Sequence, residues 1–207
     1  MKQRKKYRKM FHYFLILLFP LVVVGQWGTP PPVVTDQQCQ EEYDKILGCI
    51  RTPLFTKFDD IPLRDLNKTQ ELVNEITHVL DCSGFLNCNS SRILQSVFFN
   101  QRWISDHFHA TLPECLTREA EWSLFNQCGA LEDDFNCNRF NKSNLKCHTT
   151  ELKKQPNCTW EHVKPYVRYY WAARSTCVMA HQWELEMDRH HIKVKRIGDL
   201  FNPLAFD

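Results

Sequence analysis

Along most of the chain, apolar residues return every three or four positions, the spacing of one face of an α-helix. Cys39, Tyr43, Ile46, Leu47 and Ile50 form a first stripe, and Leu72, Val73, Ile76, Val79 and Leu80 a second. The second helix is predicted to start at about Leu63 or Thr69 and run to Asp81, with Gly84 as its terminator. Ser90 or Ser91 can cap a third helix carrying Ile93, Leu94, Val97, Phe98, Ile104 and Phe108. Pro113 is placed to open a fourth, with Cys115, Leu116, Ala120, Phe125 and Cys128 on it and Gly129 closing it. The longest periodic stretch follows Thr159, its expected cap. There Val163, Val167, Tyr170, Arg174, Cys177, Val178, His181 and Leu185 fall at helical spacings.

Between these stretches the pattern lapses. Residues 26–38 hold three consecutive prolines and read as an extended stub, and residues 51–62 read as a connection. Residues 130–157 are polar and are expected to be a loop with short helical turns, stapled rather than packed. Residues 192–207 form a tail whose Phe201, Leu204 and Phe206 could dock on the core. No strand pattern and no internal repeat emerges. The expected fold is mainly α: a disulfide-stapled bundle of about five helices with long loops, in one domain spanning residues 39–191.

One apolar block breaks the periodicity altogether. Phe14 to Val24 is eleven residues long, interrupted only by Pro20, and it follows Lys2, Arg4, Lys5, Lys6, Arg8 and Lys9. A spanning helix needs about 20 apolar residues, so this block is too short for stable membrane insertion. It has the length and basic flank of a secretory signal, and Val23 and Gly25 place the expected cleavage before Gln26. The alternative is an uncleaved signal-anchor, which the density of basic residues favours. Cleavage also reverses the charge. The full chain carries 26 basic and 24 acidic side chains; losing residues 1–25 leaves 20 against 24, a net −4. A mildly acidic surface has little means of releasing counterions from nucleic acid, and no such partner is expected.

Cysteines and glycosylation motifs point to the same compartment. Cys39, Cys49, Cys82, Cys88, Cys115, Cys128, Cys137, Cys147, Cys158 and Cys177 all follow the signal. An even number without a CxxC pair predicts five disulfides rather than a zinc site. Ten half-cystines admit about 945 pairings, but geometry removes some. Cys115 and Cys128 flank what reads as one helix, and thirteen residues at 1.5 Å put them about 20 Å apart. That is far beyond the ~7 Å limit for bridged Cα atoms. The same reasoning separates Cys158 from Cys177 and Cys39 from Cys49. Four N-x-S/T motifs, at Asn67, Asn89, Asn141 and Asn157, fall in predicted loops or helix starts, where an attached glycan would face water. The predicted localisation is secreted, extracellular.

Three stretches resemble a known family. They are "LDCSGFLNC", the helix "ECLTREAEWSLFNQC", and "CNRFNKSNLKCHTTELKKQPNCTW", in which Cys137, Phe140, Cys147, Cys158 and Trp160 succeed one another. Together they look like the nematode secreted cysteine-rich proteins that carry domain of unknown function nineteen, over roughly Cys39 to Cys177. The Pro-rich stub and the long polar insertions depart from that pattern. The resemblance implies a secreted, disulfide-bonded, largely helical module without an established enzymatic activity.

Candidate chemistry is sparse. GxSxG, HExxH and glycine-rich phosphate loops are absent from the sequence. Two histidine clusters stand out: Asp106, His107 and His109, and Glu186, His190 and His191. Glu186 and His190 are four apart and share a helix face, so they could hold a metal. They also fit an ordinary solvated pair at a helix end, which is the expectation here. His181 is expected to be a partly buried, satisfied residue on the apolar stripe. Tyr166, Tyr170 and Trp171 could line a pocket for a lipid but at this spacing are expected to be core. Lys193–Arg196 resembles a processing site, though short basic runs are usually solvated. The reading is therefore a non-enzymatic extracellular interaction module, with no catalytic residue, cofactor or metal expected. Its partner would be an extracellular protein or a small hydrophobic ligand. A carrier of such a ligand is the alternative, and a metal-dependent hydrolase comes third.

Overall fold

A computed structural model describes residues 34–51, 65–129 and 137–193. The expected signal, most of the Pro-rich stub, all but the first residue of the connection expected at 51–62, the segment 130–136 and the tail from residue 194 lie outside the described residues. The domain is all-helical, with six α-helices and one 3-10 turn among the described residues and no strand.

Helix α1, Asp36–Gly48, starts three residues before the expected Cys39 because Thr35 and Gln38 form a capping box. The Gln38 backbone N–H donates to Thr35 Oγ1 at 3.2 Å, and the Thr35 N–H to Gln38 Oε1 at 2.9 Å. Helix α2, Leu66–Ser83, is capped by Asp65 and ends at Gly84, whose φ of 58° suits a residue without Cβ. Helix α3, Asn89–Thr111, differs from expectation at its start. Ser90 and Ser91 lie inside it and are buried; Cys88 is the N-cap and contributes no side-chain cap. The exposed N–H groups are met from another helix. The Glu42 carboxylate on α1 accepts from the N–H of Asn87 at 2.8 Å and of Cys88 at 2.9 Å.

Helix α4 is Arg118–Cys128, shorter than the stretch from Pro113. Residues 112–116 are a turn that buries Leu112, Cys115 and Leu116, and Thr117 caps the helix. A side-chain acceptor at Thr117 fixes the helix start more firmly than proline's preset φ at Pro113. The polar stretch expected to be a stapled loop holds a 3-10 turn, Cys137–Arg139, and an eleven-residue helix α5, Lys142–Leu152. Asn141 caps α5, and His148 and Leu152 are buried on its inner face, so the segment packs as well as staples. Helix α6, Trp160–Arg189, is the longest, with Thr159 as N-cap as expected.

Helices α3 and α6 form the most extensive pairing. They run antiparallel: His107 Nε2 lies 3.0 Å from the Pro165 carbonyl, and Asn100 Nδ2 donates to the Ala172 carbonyl (2.8 Å) and Thr176 Oγ1 (2.7 Å). Two hydrophobic cores lie along this pair. The first gathers Tyr43, Ile46, Leu72, Ile76, Leu94, Phe98, Trp183 and Met187 from α1, α2, α3 and the end of α6. The second gathers Phe108, Leu112, Leu124, Phe140, Leu152, Tyr166 and Tyr170 from the end of α3, from α4, the 3-10 region and α5, and from the start of α6.

Truncating Glu42 should expose how much α3 depends on its borrowed cap. Glu42→Ala is expected to lower stability by about 1–2 kcal/mol in urea titration of the oxidised protein. Glu41→Ala, one position away on the exposed side of α1, should stay within about 0.5 kcal/mol. Equal effects would mean that the cap is not what matters.

Candidate functional site

All ten cysteines are paired and none is free. The bridges are Cys39–Cys88, Cys49–Cys82, Cys115–Cys158, Cys128–Cys147 and Cys137–Cys177, with Cα separations between 4.6 and 5.8 Å. The three pairings excluded on geometry are absent, although Cys115 sits in the turn before α4 rather than on it. The bridges fall into two sets. Two tie α1 to the start of α3 and the end of α2, around the first core. Three tie the turn, α4, α5, the 3-10 segment and α6 around the second. Such a density of bridges belongs to an oxidising compartment. Among the described residues no helix is long and apolar enough to cross a membrane.

The two histidine clusters do not meet. His107 packs by Pro165 near the start of α6, stacked on Trp103 with ring centroids 4.5 Å apart. His190 lies twenty-five residues further along, which at 1.5 Å per residue is about 37 Å away. His109 is partly buried; desolvation pushes its pKa below the ordinary value, against the opposing charges of Asp106 and Asp65.

The Glu186–His190 pair is not the solvated pair expected. Glu186 is 6% exposed, with Arg189 Nη1 at 2.8 Å from Oε1 and His190 Nε2 at 3.9 Å from Oε2. His190 Nδ1 reaches Asp36 Oδ1 at 2.8 Å, which fastens the end of α6 to the start of α1. The ring also sits against the Cys39 and Cys88 sulfurs, with possible ligand atoms of the three within 4.8 Å of one another. Both sulfurs are spent in the bridge, so this cluster offers no thiolate for a metal. Hydrophobic periodicity cannot reveal it, because the buried member is a carboxylate. His181, expected on the buried stripe, is exposed and lies 3.8 Å from Glu184.

The most buried histidine, His148, was not among the sequence candidates. It is fully enclosed, and its Nδ1 is 2.8 Å from the Tyr166 hydroxyl. Burial pushes the Tyr166 phenol well above its ordinary range, helped by Tyr169, Glu121 and Tyr170. The phenol therefore keeps its proton and donates to Nδ1, and we assign the imidazole proton to Nε2. Desolvation lowers the His148 pKa, and the Gly129 backbone opposes part of that shift. Leu145, His148 and Leu152 are three and four apart, a short stripe that could have located this residue. Tyr166 and Tyr170 fill the second core as expected, and Trp171 packs against it half-buried.

The asparagines of the four N-x-S/T motifs are all exposed: Asn67 in the first turn of α2, Asn89 opening α3, Asn141 capping α5 and Asn157 in the turn before α6. Asn89 also borders an open groove of about 820 Å³ between α2, α3 and α6. Leu80, Ile93 and Met179 line its apolar part, with Asp81, Arg92 and Phe99 around them. Elsewhere, two tryptophans stand out from the surface: Trp122 on α4 and Trp160 at the start of α6, 66% and 78% exposed. They flank the Cys115–Cys158 bridge in sequence, and Gln155 Nε2 joins the two segments at Ser123 Oγ (3.2 Å).

No family model, curated protein or solved structure matches the chain.

A histidine buried in its neutral form makes stability depend on pH with a definite sign. The unfolded chain takes up a proton near pH 6.5, the ordinary value, while folded His148 does so only at lower pH. Stability is thus complete above about pH 6.5 and lost below it, by up to about 1.4 kcal/mol per pH unit for each such histidine. Urea titrations between pH 7.5 and 5 should show this slope. His148→Gln should flatten it towards the share of His109; an unchanged slope would show that His148 titrates normally.

Proposed function

We propose that the protein is a secreted, N-glycosylated binding module that presents a rigid surface to an extracellular protein. The observation that carries this reading is the pairing of every cysteine into two sets of bridges around two packed cores. Disulfides stabilise chiefly by restricting the unfolded chain, so a domain held this way keeps folded the backbone that carries its surface side chains. Rigid aromatic anchors bind at low cost in conformational entropy, and tryptophan is over-represented among the residues that dominate interfaces. Trp122 on α4 and Trp160 at the start of α6, both exposed, are the side chains we assign to recognition. The apolar block at residues 14–24, the four exposed acceptor asparagines and the resemblance to nematode secreted cysteine-rich proteins support the same compartment.

The decisive test is the intact mass of the protein secreted from eukaryotic cells, deglycosylated, with thiols alkylated before and after reduction. The chain should start near Gln26, take up ten alkyl groups only after reduction, and lose mass at several asparagines on deglycosylation. Retention of residues 1–25, or thiols that react without reduction, would overturn the reading.

A further inference from the structure

We propose that the groove between α2, α3 and α6 is an oligosaccharide subsite, and that its occupant is the chain's own N-glycan on Asn89. The proposal rests on the reading of the protein as a secreted glycoprotein and adds where one of its glycans lies.

Three observations carry it. First, Asn89 is itself part of the groove's border, whereas Asn67, Asn141 and Asn157 are not. Second, the groove has the mixed chemistry that a sugar needs. A pyranose ring has an apolar C–H face and a rim of hydroxyls that both donate and accept. The Phe99 ring is 57% exposed, with the Arg102 guanidinium 5.3 Å from its centroid. It can take a C–H face as aromatic rings take other apolar surfaces. Asp81 accepts and Arg92 donates; both are exposed, and neither has a side-chain partner among the described residues. Such charged groups make the stronger hydrogen bonds to hydroxyls. A lipid would want an enclosed apolar cavity, and this groove is open and only partly apolar.

Third, the reach is right. Asn89 and Phe99 are ten residues apart on α3, about 15 Å along the axis. The two N-acetylglucosamine units and first mannose of a core N-glycan span that distance. Covalent attachment supplies what the open site lacks in affinity. A short flexible tether gives an effective concentration in the millimolar range. A groove that binds free sugar only at millimolar concentration is then substantially filled.

The experiment is a time course of peptide N-glycanase digestion of the native secreted protein, followed by glycopeptide mass spectrometry at each site. The Asn89 glycan should be released at least about twofold more slowly than those on Asn67 and Asn141, since an effective concentration near the dissociation constant leaves about half of it undocked. Phe99→Ala removes an exposed ring, so the fold should persist, as an unchanged melting temperature would confirm. In that variant Asn89 should be released at the rate of the other sites. Arg92→Ala, also a surface change, should give part of the same acceleration. Equal release at all sites in the wild-type protein overturns the proposal. So does slow release that neither variant changes, which would mean crowding at the helix start rather than docking. An unmodified Asn89 beside occupied Asn67 and Asn141 overturns it while leaving the secreted reading intact; no glycan at any site defeats both.

Discussion

The antiparallel packing of α3 on α6 is the contact on which the remaining architecture depends. Neither bridge set crosses from one core to the other. Cys39–Cys88 and Cys49–Cys82 close loops around the first core, and the other three bridges close loops around the second. No disulfide joins the two halves: the backbones of α3 and α6 run through both, and the packing of one helix on the other holds them together. Phe98 and Phe108 on α3 lie in different cores, as do Trp183 and Tyr170 on α6, so each helix is shared by both. A thirty-residue helix is about 45 Å long. It has that length here because it has two cores to reach.

The junction is held in register by polar contacts. Asn100 spends both amide hydrogens on α6, at Ala172 and Thr176. His107 reaches the Pro165 carbonyl, at the one residue inside α6 that cannot donate a backbone hydrogen bond. At the far end Asp36, Glu186, Arg189 and His190 tie the helix terminus to α1. Contacts of this kind contribute modest net stability but a large penalty for misalignment, because a partner left buried and unpaired loses its hydration. They select one relative position of helices whose apolar faces alone would tolerate sliding. The Glu42 carboxylate does the same at the start of α3, since α1 must sit where its carboxylate meets two backbone N–H groups.

The all-helical class, the bridge count, the C-terminal ends of α2 and α4 and the start of α6 were legible because they rest on local rules: periodicity, a threonine cap, glycine at α2 and α4 termini, an even cysteine number. What was not legible involved burial decided at a distance. Helix α5 looked like a loop because its inner face is Leu145, His148 and Leu152, and the histidine becomes a core residue only through Tyr166, eighteen positions away. The stripe predicted for α6 was out of phase in its second half. Val178, His181 and Leu185 are exposed, while Ala180, Trp183, Glu186 and Met187 are buried. A helix serving two cores on different sides has no single stripe, and a buried carboxylate weakens the signal further. The groove could not be read at all, since its walls come from three segments whose residues are mostly polar.

The division into two caged halves also bears on where a ligand can act. Met179 lines the groove and packs against the first core, while Cys177, two residues earlier on α6, is bridged into the second set. The groove thus lies over the stretch where α3 and α6 pass from one caged half to the other with no bridge between them. Anything that binds the folded state there and spans α2, α3 and α6 stabilises the one connection the disulfides leave unsecured, by an amount set by its concentration relative to its dissociation constant. A free ligand would do so only when abundant. A covalently attached one does so at every protein concentration, because its effective concentration is fixed by the tether. A glycan at Asn89 would therefore act as a noncovalent counterpart to the bridges, placed where the cysteine framework has a gap.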